Sequence, residues 1–427
     1  VKARCAPLLC LYLALVYHVD ARANNGLNLV GFGAESVAMA GTDLAVARDT
    51  SALNTNPAGL DQIEDRRLDM NVGIGFNYGH EHRDRFGNRK NNSNGIAVIS
   101  SPGYAQRLHD KPLTFGVGLF AQGGSGGEYK NLDTAFGTRD DLTARFRIAR
   151  LTTGLAWRVT DRLKFGASLL ATYTDMQQEL FPNTSYADPD PAKSFFGLKI
   201  RGLSALSAGI RFGVMYKPGD RLTIGAAYND KIDTDMDGGR LTADYTALGL
   251  GKVTYRDVEA SGVDQPEELG IGAAYRVSDR LLLATELNWI NWSEAVKRGK
   301  LSARAPDNPA APASLELIAV HDWRDQYVMS LGLAYQWTSK TLVRAGYNYG
   351  RNPIPDEHLN PLMNTTGIHH ITLGLERRLD DAWQFDGALE WDLKNDVTYT
   401  NDQLPFGEDA GNTGVLYALH FRLSRIW

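Results

Sequence analysis

The stretch Trp383-Gln-Phe385-Asp-Gly387-Ala-Leu389-Glu-Trp391-Asp-Leu393-Lys394 decides the fold class. Its odd positions are apolar or aromatic and its even positions are mostly polar or charged. A period of two puts these sets on opposite faces of one strand. The last segment repeats the pattern: Val415, Tyr417, Leu419, Phe421, Leu423 and Trp427 share a face whose only charge is Arg425. Tyr327 to Trp337, Leu206 to Tyr216, Leu163 to Tyr173 and Leu222 to Tyr228 alternate likewise. Aromatic residues such as Trp157, Tyr216, Tyr275 and Trp337 close the apolar rows, where a membrane–water boundary would meet a strand.

Working outward, the connections repeat. Arg158-Val-Thr-Asp161-Arg-Leu, Lys217-Pro-Gly-Asp220-Arg-Leu and Arg276-Val-Ser-Asp279-Arg-Leu are spaced 59 residues apart, and a weaker copy begins at Gln336. Each repeat fits two strands, one tight turn and one long loop. Tight turns on one side and long loops on the other is the asymmetry of outer-membrane barrels, with the tight turns periplasmic. Strand starts fall near 66, 95, 112, 145, 162, 203, 221, 265, 280, 326, 341, 367, 382 and 414. The sequence therefore predicts an all-β chain: a 14-stranded antiparallel transmembrane β-barrel over 66–427. An even count lets one chain close on itself, which leaves no unpaired edge in lipid.

Before the barrel come two other segments. In 1–23, Lys2 and Arg4 make a basic start, Ala6 to Tyr17 an apolar run, and Ala21-Arg22-Ala23 a small-x-small site. That is the layout of a cleavable secretory signal peptide, and the run is shorter than the ~20 residues of a spanning helix. Both cysteines, Cys5 and Cys10, lie there, so disulfides and thiolate metal sites are excluded from the rest. The mild net charge of −5 suggests no nucleic-acid partner. Residues 24–65 do not alternate. Glu35 to Ala40, and Leu44 to Arg48 capped by Thr42 or Asp43, are compatible with short helices. Asn56, Pro57, Ala58, Gly59 and Leu60 then force a compact turn.

On these residues the chain resembles the FadL-type outer-membrane transporters of long-chain fatty acids and other hydrophobic compounds. The resemblance rests on Gly33-Ala-Glu-Ser-Val-Ala-Met-Ala-Gly41 through Asp49, on Asn56 to Leu60, on Trp292-Ser293, and on Arg344-Ala-Gly-Tyr-Asn-Tyr followed by Pro353-Ile-Pro355. It implies that 24–65 form a partly helical hatch plugging the lumen, and that substrate leaves sideways at a kink in the third strand. That strand is read as Leu113 to Gln122, so Phe120, Gln122, Gly123, Gly124 and Gly126 are the candidates for the lateral opening. Glycine often marks a bulge or a close approach in a strand; a flexible outer loop is the other reading of this run. The resemblance further implies a monomer in outer-membrane lipid and lipopolysaccharide, hydrophobic passengers such as fatty acids, and no cofactor. The terminal Trp427 resembles the signal read by the barrel-assembly machinery.

Transport of an apolar molecule needs no catalytic constellation, so no enzyme activity is expected of this sequence. His369 and His370 face opposite sides of one strand and cannot share a metal. For a substrate carboxylate, Arg344, Arg211 and Arg201 are candidates on or near lumen-facing positions; lining a polar lumen is their other reading. The long loops 175–201, 229–264, 293–325 and 350–366 carry apolar residues, among them Leu180, Phe181, Phe195, Phe196, Leu315, Leu317 and Ile318, that fit either an external groove or loop packing. Asp233, Asp235 and Asp237, with Gly238 and Asp244, approach a calcium loop but lack its final Glu and its flanking helices. Their alternative is a solvated acidic row on the lumen side. A general porin is the rival function, and a surface receptor or adhesin a third; the hatch separates the first from transport.

Overall fold

In the computed structural model, which describes residues 25–363 and 367–427, fourteen strands close into one antiparallel barrel. The leader reading lies outside the described residues. In order the strands are β1 (Arg66–Phe76), β2 (Ile96–Leu108), β3 (Leu113–Asp133), β4 (Arg139–Arg158), β5 (Leu163–Tyr186), β6 (Phe195–Tyr216) and β7 (Leu222–Asn229). Then follow β8 (Glu268–Arg276), β9 (Leu281–Ile290), β10 (Gln326–Thr338), β11 (Thr341–Gly350), β12 (His369–Arg378), β13 (Trp383–Tyr399) and β14 (Ala410–Ile426). Each pairs with its sequence neighbour, and β1 closes on β14 from Arg67↔Ile426 to Phe76↔Tyr417.

The alternation sorts as expected. On β14, Tyr417, Leu419, Phe421 and Leu423 are exposed on the outside, while Leu416, Ala418, His420, Arg422 and Ser424 are buried inside. A cation facing lipid at mid-membrane costs roughly 2–4 kcal/mol, falling toward zero at the interface. Arg425 avoids that cost at the strand's end, where it stacks over Trp383 and Trp427. The tight turns share one geometry: Val159 and Thr160 donate backbone N–H groups to Leu163 O, as Val277 and Ser278 do to Leu281 O. His369 faces outward against Tyr347, and His370 is buried against Asn348.

The outer ends differ from expectation. β3 runs eleven residues past Gln122, and β5 and β6 fill most of 175–201. The segments 229–264 and 293–325 are not simple loops either. After breaks at 230–235, 262–267, 291–297 and 321–325, strands β7 to β10 are continued by Met236–Tyr245, Gly251–Ser261, Arg298–Pro306 and Ser314–Val320. These pair with one another and with β6, and they raise the wall above the lipid-facing belt. The alternation there went unread because the breaks interrupt each row before it is long enough to recognise.

Residues 25–65 sit inside the barrel. They contain a short helix α1 (Ala34–Ala38) and 3-10 turns at Thr50–Leu53 and Pro57–Gln62. Asp49 and Asn56 cap those turns by accepting N–H bonds from Ser51 and Ala58. The helix expected over 44–48 does not form. Leu44 O instead accepts from Asn56 Nδ2 (2.6 Å), so the turn takes the first carbonyl a helix would use, while Leu44 N–H donates to Glu286 of β9 (2.8 Å).

Candidate functional site

The lumen has a charged floor and an upper chamber filled by apolar side chains. At the floor, Arg422 meets Glu35 (3.2 Å), Asp386 (2.9 Å) and Asp49, while Arg67 meets Asp69 (2.8 Å). Glu35 and Asp49 belong to the hatch and Arg422 to the wall, so these ion pairs fasten one to the other. Lower still, Asp61 takes Lys164 (2.6 Å) and Arg158 (3.0 Å). The Asn56 to Leu60 turn is seated against β5 and β6. A Cβ on Gly213 would collide with Asn56 Oδ1, and one on Gly166 with the Pro57–Ala58 peptide, so both wall glycines admit the turn.

Above the hatch, the inward positions become apolar. Phe146 on β4, Leu203 on β6, Leu241 and Tyr255 on the raised strands, and Leu27 at the hatch's start belong to one buried cluster. Trp292, in a one-turn helix α2 (Trp292–Ala295) inside the β9 break, joins them fully buried. Its indole N–H donates to Gln326 (3.2 Å), its ring meets Trp323 edge-on, and a Cβ on Gly26 would lie 2.6 Å from it. Phe196 and Leu315 pack against this chamber, whereas Phe181 and Phe195 belong to a separate outer cluster with Phe406. Leu317 and Ile318 are exposed.

Beside the chamber the wall is unevenly paired. β2 and β3 pair from Leu108↔Leu113 only as far as Gly103↔Gly118. Beyond that point, among the described residues, β2 pairs with β1 and β3 with β4; contact resumes where Ser93 N–H donates to Glu128 O (2.7 Å). Within this stretch β3 bulges between Ala121 and Gly123, and Gly123 and Gly124 take φ of 156° and 146°. Gly124 N–H donates to Leu27 O (3.1 Å), and Asn28 bridges Gly123, so the hatch lies against the bulge. Any Cβ on Gly123 would collide with Leu27 O, and one on Gly126 would lie 2.7 Å from Ala144 O. Phe120 is buried edge-on to Phe32, and Gln122 accepts from hatch Asn54 (2.8 Å). The glycine run therefore lies within the strand and not in an outer loop.

The three arginines named from sequence are dispersed. Arg344 is fully buried in the floor, bound to Glu35 (3.0 Å), Asp386 (3.2 Å) and Glu376. Arg211 faces the lumen and pairs with Glu268 (3.2 Å) while donating to Thr55 O. Arg201 does not face the lumen: a bulge between Met176 and Gln178 shifts the register, and the exposed side chain meets Glu179 (2.9 Å). Sequence reasoning passed over Arg150 of β4, which is buried beside the β3 bulge. It donates to Thr172 (3.2 Å), Asn54 (3.5 Å) and Gln265, all neutral, and forms no ion pair among the described residues. Its inward parity was readable, but its lack of a carboxylate partner depends on distant strands.

Asp233, Asp235 and Asp237 are exposed and alternate with buried Ile232, Thr234 and Met236, so the acidic row faces outward, not into the lumen. Asp233 pairs with Lys231 (2.9 Å), and Asp244 is buried and accepts from Thr246. They do not converge. The oxygens of Glu35, Glu376 and Asp386 do lie together, but Arg344 bonds all three and fills the place a metal would take.

The whole architecture has known counterparts. It is similar to the Pseudomonas putida toluene transporter TodX (TM-score 0.77, 22% identity, 94% of this chain and 99% of that one) and to the Ralstonia pickettii toluene transporter TbuX (0.73, 22%, 94% and 100%). A Pseudomonas aeruginosa FadL homologue aligns at 0.72 with 17% identity, over 94% and 99% of the two chains. In sequence, Outer membrane protein P1 of Haemophilus influenzae is 25% identical over 380 residues, 77% of this chain and 78% of that protein. Residues 21–424 match the family described as "Outer membrane protein transport protein (OMPP1/FadL/TodX)". This chain is a member of that family, a channel for hydrophobic compounds in the outer membrane and not an enzyme.

Proposed function

We propose that the chain takes amphipathic hydrophobic molecules, long-chain fatty acids among them, into the chamber above the hatch and releases them sideways at the β3 bulge. The observation that carries this reading is the run of β3 without a β2 partner between Gly118 and Glu128, adjoining an apolar interior. An unpaired edge is costly in lipid, so its retention beside the chamber fits a passage between lumen and bilayer. Phe120, Gln122, Gly123, Gly124 and Gly126 would form its sill. Arg150 supports a carboxylate head, because a buried guanidinium with only neutral partners gains a charge-assisted bond when an anion arrives. In this reading the Asn56 to Leu60 turn holds the plug in place, and Arg211 and Arg344 serve the lumen's own ion pairs.

The test is uptake of a long-chain fatty acid and of toluene by cells carrying the full chain, with binding measured on the purified protein. Gly123→Val should slow uptake of both at least 5-fold. Arg150→Met should weaken fatty-acid binding about 10-fold and leave toluene unchanged. Equal loss of both ligands, or of neither, sinks the carboxylate reading and leaves hydrocarbon passage standing. Rapid swelling of liposomes by small sugars would favour the porin instead.

A further inference from the structure

The raised wall ends in an open edge. Its four strands pair in the order Met236–Tyr245, Gly251–Ser261, Arg298–Pro306 and Ser314–Val320, and β6 holds the first of them. The last, Ser314-Leu-Glu-Leu-Ile-Ala-Val320, pairs with its neighbour from Arg298↔Val320 to Arg304↔Ser314. Among the described residues no strand pairs with its other side. Its parity is set at the upper numbers. His321 N–H donates to Lys297 O (2.9 Å), so residue 321 turns its backbone toward the neighbouring strand and Val320 turns away. There the side chain of Gln403 meets it as a peptide group would. Val320 N–H donates to Gln403 Oε1 (2.7 Å), and Val320 O accepts from Gln403 Nε2 (2.9 Å). Alternation then points the N–H and C=O groups of Ile318 and Glu316 out of the same side, where no hydrogen bond meets them among the described residues.

Nothing in the strand itself guards this edge. Exposed edges are ordinarily blunted by lysine, proline or a bulge, or covered by a loop. Ser314–Val320 contains neither residue, and its ladder to Arg298–Pro306 keeps one register throughout. Its single charge is Glu316, which meets Lys300 (2.9 Å). Gln403 covers Val320 alone, and residues 316–319 are exposed, Ile318 at 54%. The two faces differ. Leu315 and Leu317 lie opposite Ala303 and Leu301, which are buried in the chamber cluster, so this set faces inward. Glu316 and Ile318, opposite Ser302 and Lys300, face outward.

We propose that the free edge of Ser314–Val320 docks an extended segment of another protein at the cell surface, which joins the raised wall as an antiparallel strand. Main-chain bonds to Ile318 and Glu316 supply the attachment, and alternate side chains supply the selection. On the inner side the segment carries apolar residues beside Leu315 and Leu317. On the outer side it carries a lysine or arginine opposite Glu316, because the edge has an anion and no cation of its own. The Gln403 amide already occupies one rung of this edge, at Val320, and the guest continues the same row of bonds. A second copy of the chain fits less well. Two barrels in one membrane insert the same way up, so their edges would meet in parallel, the weaker pairing, and Glu316 would find no cation.

The probe is the hexapeptide Val-Thr-Leu-Lys-Val-Thr, labelled with fluorescein at its N-terminus, amidated at its C-terminus and added to the full chain in detergent. Laid antiparallel from Ala319 to Ser314, it sets its lysine opposite Glu316 and its apolar residues beside Ala319, Leu317 and Leu315. Fluorescence anisotropy should show saturable one-to-one binding with a Kd of about 10–100 µM. N-methylation of the second or fourth peptide residue, which face Ile318 and Glu316, should weaken binding about 10-fold, and methylation of the third or fifth should not. Ile318→Pro removes an N–H that points away from Arg298–Pro306, so the wall keeps its ladder and binding should fall about 10-fold. Glutamate in place of the peptide's lysine should weaken it about 5-fold. No binding at about 1 mM peptide overturns the proposal, as does binding indifferent to the position of the methyl group or unchanged by Ile318→Pro. Disulfide dimers trapped through Leu317→Cys in detergent would give the edge to a second copy and overturn it too. None of these readouts depends on which hydrophobic molecule the chain carries.

Discussion

The two halves of the lumen are built on the same strands and solve opposite problems. In the periplasmic half, inward positions are charged, and each named charge finds a partner on the hatch or on the wall: Arg422 with Glu35, Asp61 with Lys164. In the outer half the inward positions are Phe146, Leu203, Leu241 and Tyr255, and the hatch offers Leu27. The outward face is apolar along the membrane-crossing strands, as lipid requires, and turns charged on the raised strands, where Asp235 and Asp237 point out. A period of two therefore places the strands, while the chemistry of the inner row says which half plugs and which half receives. The hatch lies at the boundary, fastened below and apolar above.

The sharpest way to break the contrast is to unfasten the floor. Arg422→Ala leaves Asp49 without its cation and Glu35 and Asp386 to Arg344, a loss of about 3–5 kcal/mol for a buried pair. Hydrogen exchange over 34–62 should rise roughly 10²–10³-fold, with the lipid-facing strands unchanged. Unaltered exchange would mean that the floor pairs do not hold the hatch. A smaller change should spoil only the upper half. Leu203→Asn puts an amide among apolar neighbours at a cost of about 1–3 kcal/mol. Binding of a hydrophobic probe should weaken roughly 10-fold while hatch exchange stays as it was. If both fall together, the two halves are not separable.

The smallest effect lies at the rim. His321, in the break between Ser314–Val320 and β10, is held down to about 4 by burial, with the His358 charge adding to it. A histidine depressed in the folded state favours its neutral form, so its contribution is complete above about pH 6.5 and is lost as pH falls toward 4. Protease nicking of 321–325 should increase modestly between pH 7 and pH 5, and His321→Asn should remove that dependence. Nicking that ignores pH in the unaltered chain would refute the assignment.

The sequence made the membrane-crossing part legible because lipid enforces it. Trp383 to Leu393 and Tyr417 to Leu423 alternate as a soluble β-sandwich would also do, but over more and longer strands, and the 59-residue spacing of the turns orients them. Asn56 to Leu60 was legible for a local reason: a capping side chain before Pro57 and a glycine at close approach. What stayed hidden depends on partners far apart in the chain. Arg344 and Arg211 look alike in sequence, yet one is bound by three carboxylates and the other by one. Arg150 stands out only once Thr172, Asn54 and Gln265 are seen around it. Arg201 went to the wrong face because one bulge flips every side chain beyond it.

The four breaks in β7 to β10 carry a consequence for how such a channel changes over time. The ladder that seals the barrel lies below them, in pairings such as Ala273↔Ile224 and Thr285↔Leu331, and the upper wall hangs above on its own pairings. Insertions or substitutions in the raised hairpins can therefore alter the receiving surface without shifting the shear of the closed cylinder. A lineage can try new passengers on an old frame.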